Sequence, residues 1–194
     1  MTEETTSPSA RQVELLEAAY EYVLDHGLAD MSLRPLAAAI GSSPRVLLFL
    51  FGTKDGLIKA LLGRARAEEL ALIDQVDHHR SAGSRGLATG AELIWSWLRA
   101  PRHRRLLRLW AEAYARSVVD RDGPWADFAS TTVNDWLALL ERCESQSESR
   151  DADSLDRRTL VLAILRGCLL DLLATNDETR VDAAVAHYLS RLND

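Results

Sequence analysis

A guanidinium group in the first turn of a short helix can reach base edges and grip guanine O6 and N7 with two parallel hydrogen bonds. Arg45 occupies such a place, directly after Pro44, and proline suits the first helical position because its missing N–H would have no partner there. Arg34 and Lys54 stand near the starts of the two neighbouring helical stretches, where positive charge and free backbone N–H groups suit phosphate contacts. Other reactive chemistry is sparse. The sequence contains no G-x-G-x-x-G, P-loop, H-E-x-x-H or G-x-S-x-G pattern, and none of its five histidines is spaced from a cysteine as a base from its nucleophile. Asp74 and His78, one helical turn apart, could form half of a metal site, against the simpler reading of a solvent-exposed pair. Cys143 and Cys168 form no CxxC pair and read as reduced packing residues. An enzyme is not expected, nor a metal or a cofactor.

The elements that must hold Arg34, Arg45 and Lys54 follow from apolar periodicity and punctuation. Leu15, Leu16, Ala19, Val23 and Leu24 recur on one helix face; Ser9 followed by Gln12 is a capping-box pattern, and Gly27 is a stop, giving a first helix over 10–26. Leu33, Leu36, Ala37 and Ile40 make a short second helix capped by Ser32 and ended at Gly41. A third helix covers 44–51 and closes at Gly52; a fourth begins at Lys54 and ends near residue 79. Two short helices joined by a tight, Gly-containing turn are the helix-turn-helix pattern. The segment 81–84 is the first linker. Further helices are expected over 87–100, 102–119 and about 125–144, with a polar, acidic linker over 145–154. The last two helices, 160–175 and 179–192, carry more apolar surface than one helical layer would bury, and Gly167 would permit close approach of another helix, so a twofold four-helix interface is expected. Few glycines and prolines, against abundant Ala, Leu, Arg and Glu, favour an all-α fold.

Residues 15–62 resemble the TetR family of transcriptional regulators. The resemblance is carried by the Ala-rich first helix ending at Gly27, the segment MSLRPLAAAIG, the turn SSPRVL, and the phrase LFGTKDGL with Phe51, Lys54 and Leu57. It implies an all-α homodimer of about nine helices per chain: an N-terminal three-helix DNA-binding domain over 1–53, and a ligand-binding and dimerisation domain over 54–194. It further implies double-stranded operator DNA and a small-molecule effector as partners, with repression relieved by the effector. The residues matching the family's DNA-contacting positions are Ser32, Arg34, Ser43, Pro44, Arg45, Leu48, Phe49 and Lys54. Leu48 is a departure, because the family typically carries a tyrosine and other polar groups in this helix. Leu48 cannot bond a phosphate; with Phe49 it could touch a thymine methyl or pack against the fourth helix. A protein of the same fold that binds a ligand or partner but little DNA is the alternative reading.

Five tryptophans fall between positions 95 and 136, and Trp95, Trp110, Tyr114, Phe128 and Trp136 are candidates to line a cavity for a hydrophobic or aromatic ligand. Arg99, Arg102, Arg104, Arg105 and Arg108 form a basic cluster that reads as a solvated helix face, a contact for an anionic ligand or DNA phosphate, or a partner for the acidic linker at 151–156. The formal net charge of -6 argues against indiscriminate nucleic-acid binding, and residues 1–55 alone carry four basic and eight acidic groups, so DNA binding would be local and salt-sensitive. No stretch approaches the roughly 20 apolar residues of a membrane span, and residues 1–9 lack the apolar core of a signal peptide; a cytoplasmic protein with no membrane partner is expected.

Overall fold

The computed structural model describes residues 8–28, 30–78 and 86–192, with 72–78 described by backbone alone. The start at 1–7, the linker at 81–84 and the side chains of Asp74 and His78 lie outside the described residues. Among the described residues every regular element is a helix, with no strand. The order is α1 (Ala10–His26), α2 (Leu33–Ala39), α3 (Pro44–Phe51), α4 (Lys54–His78) and α5 (Leu87–Leu98), then a 3-10 turn (Pro101–His103). It continues as α6 (Arg104–Val119), α7 (Phe128–Cys143), α8 (Gln146–Arg150), α9 (Ser154–Thr175) and α10 (Glu178–Ser190). No single helix here is long and apolar enough to cross a membrane; α2 and α3 are so only as a pair, and that pair is bent by 102°.

Apolar faces account for the packing. Leu15, Ala19, Tyr20 and Val23 of α1 meet Leu36 and Ala37 of α2 and Leu47 of α3, all at most 1% exposed. The next helix, α4, packs against α1 and α3 near its start and against α5, α6 and α7 further on. It therefore belongs to both parts of the molecule, and the buried core runs without a break from Leu15 to Leu189. The boundary at 53/54 falls between helices, inside one continuous core.

Differences from the expected elements have local causes. Ser9 Oγ accepts the Gln12 N–H, but the Gln12 side chain, instead of closing a capping box, donates to the Leu50 carbonyl at the end of α3. Ser32 precedes α2 without a side-chain cap bond. The acidic stretch after α7 contains α8, which Ser145 and Glu148 start with a reciprocal capping box. Helix α9 begins at Ser154 rather than 160 because its charged first turns are paired: Arg158 with Glu141 at 3.0 Å, and Arg157 with Asp151.

Candidate nucleic-acid interface and ligand cavity

The α2–α3 pair turns through 102°, within the roughly 90–120° of a helix-turn-helix. Gly41 makes the turn possible, with φ +64, and the Ser42 N–H donates to the Ala37 carbonyl at 2.8 Å. Ser43 then starts α3, its hydroxyl accepting the Val46 N–H at 3.3 Å, and Pro44 takes the first helical position half-buried. On α3 the apolar residues divide as the helical period requires. Leu47 is buried, whereas Arg45, Leu48 and Phe49, spaced to share one face, are exposed, Phe49 by 85%. That exposure leaves Phe49 without the packing on α4 that would otherwise explain an apolar residue there.

Ser32, Arg34 and Lys54 are exposed at the starts of α2 and α4. No ion pair holds Arg34, Arg45 or Lys54 among the described residues, so their charges are available to an outside anion. The acidic groups of α1 are otherwise engaged: Glu17 with Arg64 of α4 at 2.7 Å, Asp25 with Arg105 of α6 at 2.7 Å, and Glu21 with the same Arg105 at 3.2 Å. The charge tally over 1–55 thus overstates how negative this part of the molecule is, because its counter-ions come from later in the chain.

Those pairs also settle what holds the basic cluster. Arg105 reaches α1, Arg99 bonds Asp182 of α10 at 3.1 Å, and Arg104 bonds Glu178 at 3.1 Å. Arg102 donates to the His103 ring, and Arg108 is exposed. Three of its members join α6 and its flank to α1 and α10, and the acidic stretch at 151–156 is not their partner. Glu112, also on α6, accepts the Leu28 N–H at 3.0 Å, closing the end of α1 against the larger part of the molecule.

Two narrow cavities lie between α4, α5, α6, α7 and α9. Trp110 and Trp136 line the first with Glu69, Ile94 and Arg166, among leucines; Trp110 and Glu69 also border the second, with Trp97 and Phe128. Tyr114 is in neither lining but meets Arg166, whose guanidinium lies 5.1 Å from the Tyr114 ring centre and 5.7 Å from that of Trp110. Trp95 is outside both linings: its indole N–H donates to Asp182 on α10 at 2.8 Å, so it joins helices instead of facing the cavity. The first cavity offers only about 20 Å³ to the centre of a water molecule, room for about one water against the several hundred Å³ of a small-molecule site. A drug-sized molecule would fit there only if the helices parted.

Glu69 and Arg166 are the residues the sequence did not single out. Burial pushes the Glu69 carboxyl up to about 7, opposed by the Trp136 N–H that it accepts and by the charges of Arg166 and Arg66, while Asp135 adds to the rise. Burial also lowers the Arg166 guanidinium from its ordinary range. The available signal was a charge interrupting an apolar helix, Arg166 in α9.

No protein-family model matches the sequence, and no curated protein matches it. Solved structures do. A TetR transcription regulator from Haloarcula marismortui is 16% identical with a TM-score of 0.76, covering 94% of this chain and 96% of that one. GusR of Salmonella enterica is 20% identical, TM-score 0.69, over 97% and 98% of the two chains. The multidrug-binding protein EbrR complexed with proflavin is 22% identical, TM-score 0.66, over 94% and 99%. The chain has the fold found in TetR-family regulators, over 94–97% of its length.

Proposed function

We propose that this chain is a TetR-family transcriptional regulator whose helix-turn-helix binds operator DNA and whose cavity takes a small hydrophobic or aromatic effector. The observation that carries this reading is the outer face of α3: Arg45, Leu48 and Phe49 together on it, with the exposed charges of Arg34 and Lys54, in no ion pair among the described residues, at the starts of α2 and α4. Arg45 would read a base edge, Leu48 and Phe49 would meet thymine methyl groups, and Ser32, Arg34, Ser43 and Lys54 would fix the protein on the phosphates. Pro44 sets the start of α3.

The protein works in the cytoplasm as a homodimer. Its second copy would cover the face of α9 on which Leu160, Ala163, Gly167, Leu170 and Ala174 recur at spacings of three and four and stand exposed, Leu160 by 53%. A Cβ on Gly167 would meet nothing within 4 Å in the single chain, so the room is there for an opposing helix. The dimer would place two copies of α3 in successive major grooves roughly 34 Å apart, and the operator is an inexact palindrome. An effector that parts the cavity moves α4, which carries Glu69 at the cavity and Lys54 at the DNA, and changes that spacing. The protein is a repressor released in this way, provided the effector binds the spread form more tightly than the DNA-bound one.

Selection of bound sequences from random DNA at moderate salt tests the reading, with an enriched palindrome expected. No enriched motif would sink it, in favour of a ligand- or partner-binding protein of the same fold with little DNA affinity. Leu48 is the observation on that side, since it cannot hydrogen-bond a phosphate.

A further inference from the structure

The cavity is unbalanced in hydrogen-bonding groups. Glu69 contributes its one carboxyl, and Oε1 of that group already accepts the Trp136 indole N–H. Against it stand three buried nitrogens without an acceptor among the described residues: Nε1 of Trp110, and Nε and Nη2 of Arg166. Buried donors left unpaired are costly, and a guanidinium in an apolar lining is the costliest of these. Nη1 of Arg166 is directed to the Tyr114 hydroxyl at 3.4 Å, and no ion pair is made by this residue among the described residues. What remains is the edge formed by Nε and Nη2, with which a guanidinium holds a carboxylate through two parallel bonds. The same chain shows that grip elsewhere. Arg66 donates from Nε and Nη2 to the two carboxylate oxygens of Asp135 at 2.9 and 3.0 Å.

We infer that the effector is a ring-bearing carboxylic acid bound as its carboxylate, both oxygens taken by the Nε–Nη2 edge of Arg166 and the rings lying against Trp110 and Trp136. This rests on the cavity being the effector site. A cationic ring compound suits the lining less well: it would meet the Arg166 charge, and its counter-charge would have to come from Glu69, which burial keeps partly neutral near pH 7. A neutral ring compound would leave the Arg166 edge unsatisfied.

The test uses matched triplets on phenyl, naphthyl and biphenyl bodies, each as the acetate, the acetamide and the methylammonium. Binding to the intact protein is followed by tryptophan fluorescence and thermal stabilisation at pH 7.5. In at least one triplet the acetate should bind tenfold or more tightly than its amide, with the ammonium weakest. Arg166→Met should erase that preference while the amide binds as before; Arg166→Lys, which keeps the charge but loses the two-pronged edge, should restore only part of it. Equal binding within every triplet, or preference for the ammonium, would overturn the carboxylate assignment and leave the cavity as the effector site. Binding by none of the nine compounds would overturn both. The triplets on the unaltered protein decide the matter even if the Arg166 variants do not fold.

Discussion

At the scale of single residues, the structure separates charges that hold the molecule together from charges left for a partner. Arg64 and Arg105 neutralise acidic groups of α1, whereas Arg34, Arg45 and Lys54 have no such partner among the described residues. Arg45→Ala should therefore cost about 1–3 kcal/mol of operator binding and relax discrimination at one base, while Lys54→Ala should weaken all sequences alike. Quantitative binding to operator and single-base variants checks this, and equal, sequence-independent losses from both would mean that the roles are wrongly assigned. Glu69 carries a different prediction. Its carboxyl rises from 4.5 unfolded to about 7 folded, so between those values the folded protein holds the extra proton and stability falls as pH rises. The fall attributable to this group is about 3 kcal/mol at most, at about 1.4 kcal/mol per pKa unit. Glu69→Gln, which keeps an acceptor for Trp136, should flatten that part of the urea-unfolding profile and be the more stable form at pH 8. An unchanged slope would show that Glu69 does not titrate in this range. The outward residues of α3 were legible in the sequence because helical period and punctuation fix them locally. Glu69 and Arg166 were not, because only the packing of α4 against α9 gives them their meaning.

At the scale of elements, the boundaries of α1 and α3 could be read from Ser9, Gly27, Pro44 and Gly52, each of which acts on its own few neighbours. The short α8 carries a Ser145-x-x-Glu148 capping signature inside a stretch whose acidic composition alone reads as a linker. The early start of α9 had a weaker signal, Asp153 before it and Asp156 in its first turn. Its first turns are charged, and Glu141 on another helix makes them helical by pairing with Arg158. Gln12 shows the same limit, because its side chain prefers the Leu50 carbonyl across 38 positions to the cap nearby. The outer face of α9 leads to a further prediction. Leu160→Glu should dissociate the dimer in sedimentation and reduce operator affinity by about a hundredfold or more, while the thermal midpoint of the isolated chain stays nearly unchanged, because Leu160 is already 53% exposed there. A dimer that persists would place the interface elsewhere.

At the scale of the whole molecule, net charge and operator binding are compatible because the favourable charge is local. With Arg34 and Lys54 on phosphates in each of two copies, about four phosphates are neutralised, and log affinity against log salt should have a slope of about -4. A titration from low to moderate salt measures it, and a slope near zero would remove the phosphate contacts. Under the proposed function, the continuous core would make α4 the path between cavity and DNA. How much of that motion reaches α3 depends on the joint between them. There a Cβ on Gly56 would come within 2.1 Å of the Phe51 carbonyl, so the end of one helix and the start of the next are seated on each other. Under the proposed function, α3 and α4 would then move together: an effector would change how far apart two half-sites are read, but not which bases are read within each. On that reading address and trigger would be separable, and substitutions confined to the outer face of α3 should redirect the protein to a new operator with its response to the effector intact.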